Sequence, residues 1–194
     1  MKEWDTSSDS DLALRARSGE RGAFDQLIGR HKSALYRFIR RYVGNSDDAY
    51  DVLQDTCVSA WLALSRYNQD RSWPIWLRAI ALNKCRDRSR RLAVKRRVLQ
   101  LFAIQRGDEA EPPIDISTAR ERLETGRLRR LDEAIAALPA SYKEPLLLTT
   151  VAGLSQQEVA VELKTSAKAI EMRIRRAKQK LIQALADLAE EPRS

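Results

Sequence analysis

The polar residues with the most distinctive spacing form three charged groups, which are suited to binding another molecule through its charges. Two groups are basic: residues 164–180 hold seven bases and one acid, and residues 84–97 hold eight bases and one acid. The third is acidic, with four aspartates and no base between positions 47 and 55. Dense basic segments bind phosphate groups. On a chain of net charge +8 they predict two separate contacts with one polyanion.

Catalytic and metal chemistry have little support in the sequence. Cys57 and Cys85 stand alone without ligand-like neighbours, so they predict neither a disulfide framework nor a zinc site. There is no recognisable nucleophile–base pair, carboxylate pair or phosphate-binding loop. We therefore expect no catalytic residue, no metal and no cofactor, and an enzyme acting on nucleic acid is the weakest interpretation.

The basic residues 164–180 must be positioned by two helices joined by a short turn. Ser155 and Glu158 have the spacing of a capping box, which starts the first helix. Lys164 to Ser166 form a polar break, and Ser166 caps a second helix. Its predicted buried side consists of Ile170, Ile174, Ala177, Leu181, Ile182 and Leu185. This order is typical of a helix-turn-helix, whose second helix enters the major groove of DNA.

The second helix of this motif carries the predicted DNA contacts. They are Ser166, Lys168, Glu171, Arg173, Arg175, Arg176 and Lys178. Residues near the start of such a helix reach base edges, and later ones meet the backbone. Glu171 has two interpretations that stay open: it accepts a hydrogen bond from a cytosine amine, or it pairs with Arg175 one turn away.

Four helices are predicted in the first half of the chain, and the acidic group lies on the third. Their signals are Asp9 or Ser10 before a helix at 11–17, Gly44-Asn45 after the second helix, Ser46 before the third, and Trp73-Pro74 opening the fourth. Asp51, Gln54 and Asp55 lie opposite the apolar stripe of the third helix. They indicate either a solvated, capped helix or a docking surface for a basic protein, and the helix alone favours neither.

The pattern predicts an all-α protein of two small helical domains joined by a flexible linker. The boundaries are residues 1–99, an acidic, proline-containing linker at 100–126, and residues 127–194 with the helix-turn-helix. In the second domain, Ser141 and Glu144 have capping-box spacing. No apolar run approaches the roughly 20 residues that span a membrane, and we expect a cytoplasmic protein.

Three stretches together resemble the bacterial sigma factors of the extracytoplasmic-function group. Residues 48–55, DAYDVLQD, resemble the D-A-x-D-x-x-Q-E/D motif, and Trp76-Leu77 with Ile80-Ala81-Leu82-Asn83 resembles W-L-x-x-I-A-x-N. Leu138-Pro139, followed by the segment from Leu154 onward, resembles the family's C-terminal pattern. The acidic motif ahead of a helix-turn-helix is far more specific than a helix-turn-helix alone.

The resemblance implies a role for each group and names the partners: core RNA polymerase, promoter DNA and an anti-sigma factor. Asp48, Asp51, Gln54 and Asp55 would dock on the polymerase clamp helices. The minus-ten element would be held by Tyr67, Asn68, Gln69, Asp70, Arg71, Asn83, Lys84, Arg86 and Arg88. The helix-turn-helix would read the minus-thirty-five element in the major groove.

Departures from the family pattern are few. Lys164 stands where the turn usually has a small residue, Pro145 lies inside a helix, and Tyr50 replaces a glutamate. The alternative interpretation is a conventional operator-binding regulator that uses the C-terminal domain alone. That interpretation leaves the acidic helix without a role.

Overall fold

In the computed structural model, residues 7–103 and 119–190 are described, and within them all regular structure is helical. The α-helices are α1 (Asp9–Arg17), α2 (Arg21–Val43), α3 (Ser46–Ala63), α4 (Trp73–Ala103), α5 (Ala119–Ala137), α6 (Ala140–Thr150), α7 (Gln156–Glu162) and α8 (Ala167–Glu190). A 3-10 turn, Leu64–Arg66, follows α3. The predicted all-α class is confirmed.

Helices α1 to α4 pack around one apolar core, and their caps lie close to the predicted positions. Ser8 caps α1 instead of Asp9 or Ser10, because its hydroxyl accepts from the Asp11 N–H in a capping box. Asn45 caps α3 instead of Ser46, and its side chain accepts from the Asp48 N–H at 2.8 Å. Both corrections shift a boundary by one or two residues and leave the buried faces unchanged.

The helix-turn-helix consists of α7 and α8. The predicted capping box is confirmed: Glu158 N–H donates to the Ser155 hydroxyl, and the Glu158 carboxylate accepts from the Ser155 N–H at 2.8 Å. Lys164 takes the left-handed conformation with φ 51°, the conformation that favours a small residue in this turn. Ile182 is 70% exposed, so its predicted place on the buried side is wrong.

The start of α6 differs from the sequence prediction in a way that matters for function. Ser141 and Glu144 make no capping box; α6 follows Pro139 and has no side-chain cap. Glu144 instead reaches across to α4 and accepts from Arg86 at 2.6 and 2.7 Å. A buried carboxylate is stabilised by a bidentate guanidinium far more than by an exposed backbone N–H. Glu144 therefore joins the two halves of the chain.

The two halves are in direct contact, although the sequence predicts domains that move independently or are held together by a partner. Gly44 ends α2 with φ 92°, and a Cβ on it would lie 2.7 Å from the Ala136 Cβ on α5. Lys143 donates to the carbonyls of Tyr42 at 3.1 Å and Ala136 at 2.7 Å. The end of α2 therefore packs closely against α5 and α6.

The predicted linker, residues 100–126, is shortened at both ends by helix. Helix α4 continues to residue 103, and α5 begins at residue 119. Residues 104–118, which include the acidic and proline-containing stretch, lie outside the described part of the chain.

Candidate nucleic-acid interface

The acidic surface is a stripe along the solvent side of α3. Asp51, Gln54 and Asp55 are exposed, as predicted, while Val52 and Leu53 between them are buried. The stripe continues at helical spacing into Val58 and Leu62, which are 59% and 75% exposed. A partner on this surface would therefore meet carboxylates at one end of α3 and apolar side chains at the other.

Asp48 differs from the other predicted docking residues because it is already paired. It accepts hydrogen bonds from Arg88 of α4 and from Asn45. Burial acts to raise the pKa of Asp48, but these hydrogen bonds outweigh it and hold the pKa below its usual value. The same pair raises the pKa of Arg88, to which Asp51 and Asp55 also contribute. The acidic surface and the basic face of α4 thus adjoin.

The predicted minus-ten loop, residues 67–72, has one buried and four exposed candidates. Asn68, Gln69, Asp70 and Arg71 are exposed, and Asn68 accepts from the Asp70 N–H at 3.0 Å. Tyr67 is only 5% exposed. Its side chain is therefore unavailable to DNA in this structure.

Tyr67 is held by an aromatic cluster at the start of α4. Its ring centroid lies 5.2 Å from that of Trp73 and 5.1 Å from that of Trp76. Its hydroxyl donates to the Arg71 carbonyl at 2.8 Å. Tyr67 thereby anchors both ends of the loop and leaves its polar middle at the surface.

Two of the predicted basic contacts on α4, Arg86 and Arg88, are engaged within the molecule, whereas Arg91, Lys95 and Arg97 further along are exposed. Arg86 forms the bidentate pair with Glu144, whose hydrogen bond raises the Arg86 pKa against the opposing effect of burial. Arg86 also donates to the Asn83 amide oxygen at 3.3 Å. Arg71, in the preceding loop, pairs with Glu162 of α7 at 3.4 Å. Lys84, also on α4, is half-buried.

The basic face of α8 is open to solvent. Ser166 caps the helix as predicted, accepting from the Ala169 N–H at 3.2 Å. Lys168, Glu171, Arg175, Arg176 and Lys178 are exposed, and Arg173 is half-buried. Glu171 pairs with Lys168 at 3.2 Å, not with Arg175 as one of the predictions had it. With both partners more than half exposed, this pair contributes little.

Two features of the interface escaped the sequence analysis. The spacing from Ser141 predicts a helix-cap role for Glu144, yet Glu144 neutralises Arg86 from 58 positions along the chain. Leu62 was not singled out, although its spacing from Asp51, Asp55 and Val58 places all four on one side of α3. That helical spacing was a signal available in the sequence, whereas the Arg86–Glu144 pair was not.

Within residues 7–103 and 119–190, no cluster of three potential metal ligands occurs. Over the same residues, no helix has the length and apolar character of a membrane span.

Comparison with known families and structures decides the identity of the chain. The family model for sigma-70 region 2 matches residues 27–94, and that for sigma-70 region 4 matches residues 128–181. The RNA polymerase sigma factor NccH of Alcaligenes xylosoxydans is 36% identical over 91% of this chain and 94% of its own. The chain is a sigma factor of the extracytoplasmic-function group. It acts in transcription initiation by binding core RNA polymerase and directing it to promoters.

Solved structures agree with this assignment. The structure of CnrH in complex with the cytosolic domain of CnrY has a TM-score of 0.64 and 36% identity, covering 94% of this chain and 99% of that one. CnrH, from Cupriavidus metallidurans, is 38% identical to this chain in sequence. The match covers 90% of this chain and 92% of CnrH. The sigma factor thus shares both domains and their order with these relatives.

Proposed function

We propose that the sigma factor docks on core polymerase through the exposed stripe of α3. The observation that carries this proposal is the position of Asp51, Gln54 and Asp55, exposed side by side on a chain of net charge +8. An acidic stripe has no use on a surface that meets phosphate, since like charges repel. It suits a basic protein surface, and Asp48 becomes part of it once Arg88 is released.

Promoter contacts are divided between the two halves of the chain. Residues 68–71 and the basic face of α4 take the minus-ten element, with unstacked bases received at the loop. Helix α8 takes the minus-thirty-five element, with Lys168 and Arg175 near base edges and Arg176 and Lys178 on phosphates. The exposure of these α8 side chains supports that division.

Run-off transcription tests the proposal as a whole. Core polymerase would be combined with the sigma factor and a library of promoter fragments, and the transcripts sequenced. We expect initiation at a small set of promoters that share two elements. Binding of DNA by the sigma factor without any core-dependent transcript would instead favour the operator-binding interpretation.

An anti-sigma factor is the regulator we propose. The support is the relative CnrH, whose solved structure is a complex with the cytosolic domain of CnrY. Core polymerase and the anti-sigma factor would both meet the sigma factor in the cytoplasm. The test is competition: the protein encoded beside the sigma factor gene is added, and core binding is measured. Unchanged core binding at saturating amounts of that protein would remove it as the regulator.

A further inference from the structure

Helix α8 places one apolar side chain at the centre of its basic, exposed face. Met172 is 48% exposed, and Lys168 and Arg176, one turn before and after it, are exposed as well. At about 100° per residue, Met172 lies about 160° around the helix from Ile170 and from Ile174, both of which are buried. Met172 therefore points almost directly away from the core.

Exposure alone would not single out Met172, because scattered apolar residues are normal on protein surfaces. Its place along the helix does. It is the sixth residue of α8, within the first turns that reach base edges in a helix-turn-helix. Ile182, the other large exposed apolar residue on the described part of α8, lies ten residues later, about 15 Å further along the axis.

The major groove offers one apolar group, the C5-methyl of thymine. Methionine is suited to such a contact because its unbranched, polarisable side chain adapts to the partner. Arg176 and Lys178, the proposed phosphate contacts, would hold the helix on the backbone and bring Met172 to the base edges.

From this placement we infer that the Met172 side chain contacts the C5-methyl group of a thymine in the minus-thirty-five element and so selects for that base. The inference rests on the proposed promoter contact of α8 and adds a specificity residue that forms no hydrogen bond. It concerns an apolar contact, so it is independent of the roles assigned to Glu171 and Arg176.

Deoxyuridine substitution isolates the methyl group. A duplex with a randomised minus-thirty-five window is first selected for binding by the sigma factor with core polymerase. Each thymine in the selected window is then replaced in turn by deoxyuridine, which pairs identically and lacks the methyl. Affinity is measured with wild-type protein, Met172→Ala and the matched control Ile182→Ala.

We expect wild-type affinity to fall about fourfold at one or two positions, the effect of removing one buried methyl group. Met172→Ala should lose this sensitivity at those positions and bind thymine and deoxyuridine alike, while Ile182→Ala should behave as wild type. A folding defect in Met172→Ala would lower the affinity for the thymine and deoxyuridine duplexes equally, so the ratio of the two affinities would stay as in the wild type.

Three outcomes would overturn the inference: a selected window without thymine, wild-type binding that ignores every substitution, or unchanged sensitivity in Met172→Ala. A wild-type complex that selects no sequence at all would contradict the promoter-binding proposal itself, so the two failures are distinguishable.

Discussion

The two basic surfaces of the sigma factor differ in how far they are occupied by its own carboxylates. On and beside α4, Arg86 is bound by Glu144, Arg88 by Asp48 and Arg71 by Glu162. On the described part of α8, the one ion pair within the basic run joins Lys168 to Glu171, both exposed. The surface proposed to meet a duplex groove is open, whereas Arg86 and Arg88, proposed to contact the opened strand, are covered by carboxylates of other helices.

This difference indicates an order of events. In the proposed promoter complex, α8 would meet a duplex without breaking an ion pair to another helix, whereas Arg86 and Arg88 of α4 would first exchange carboxylates for phosphates. Glu144 belongs to the second domain, so a phosphate that replaces it on Arg86 would remove one contact between the domains. Asp48 belongs to the proposed polymerase surface, so its use by polymerase would release Arg88. We therefore propose that docking on polymerase and gripping of the opened strand are coupled.

The largest effect is expected from reversing the acidic stripe. The double variant Asp51→Arg with Asp55→Arg should abolish core binding, because each change opposes a basic partner with a base, a contact costing several kcal/mol. Both side chains are exposed, so the fold should be retained. Co-elution with core polymerase measures the loss, and duplex binding through α8 should persist.

The control for that variant is Glu133→Arg, which reverses an exposed carboxylate on α5 that, among the described residues, pairs within its own helix with Arg129. It should bind core as wild type does. Wild-type co-elution by the double variant would show that α3 is not the docking surface and would remove the coupling argued above.

A second, smaller effect is expected from Glu144→Gln, which keeps the side-chain shape and removes the charge. Truncating one partner of a buried pair costs about 3–5 kcal/mol. The cost here should be lower, because the Arg86 side chain is 32% exposed and can turn to solvent. We expect a more extended protein by small-angle scattering. The salt slope of non-specific DNA binding should rise by about one as Arg86 becomes available to phosphate.

Glu162→Gln is the matched control, since it also removes a carboxylate that joins the two halves. Its partner Arg71 is 52% exposed and lies 3.4 Å away, so little should change. Identical scattering and salt slopes for Glu144→Gln and wild type would mean that the Arg86–Glu144 pair does not keep α4 covered.

Contacts within one helical turn follow from the sequence, whereas contacts between distant segments do not. The Ser155–Glu158 capping box was predicted correctly because both partners lie within one helical turn. Ser141 and Glu144 have the same spacing, yet Glu144 found a stronger partner in Arg86. Capping-box spacing predicts a capping hydrogen bond only when no distant base pairs with the same carboxylate. The sequence alone does not show whether such a base lies nearby in the fold.

Tyr67 gives the same lesson for an aromatic residue. Its polar neighbours predicted a surface loop, and four of the five candidates there are exposed. The Tyr67 ring is buried because Trp73 and Trp76 offer it an apolar surface at the start of α4. The helices, their order and the recognition helix followed from local periodicity, whereas the contacts between the two halves required the folded chain.

Cleavage between the halves would show whether their contact survives without the covalent connection. The acidic, proline-containing composition of residues 101–126 predicts preferential cutting there and two stable fragments. We expect the wild-type fragments to co-elute at high protein concentration and to separate on dilution, because cleavage removes the effective concentration that the connection supplies. Fragments of Glu144→Gln should separate at higher concentration. Resistance at 101–126 with cutting elsewhere would contradict the domain boundary.

The smallest effects distinguish base reading from phosphate contact on the open surface of α8. Glu171→Ala should relax preference at one position of the minus-thirty-five element, since an acid among bases can accept from a cytosine amine. Its ion pair with Lys168 would contribute only about 0.2–0.5 kcal/mol to the helix.

Arg176→Ala should weaken binding to all sequences alike and lower the salt slope by about one. Binding of both variants to a panel of single-position element variants at several salt concentrations measures the two effects. The reverse pattern would mean that α8 enters the groove with a different face, because Glu171 and Arg176 lie about 140° apart around the helix.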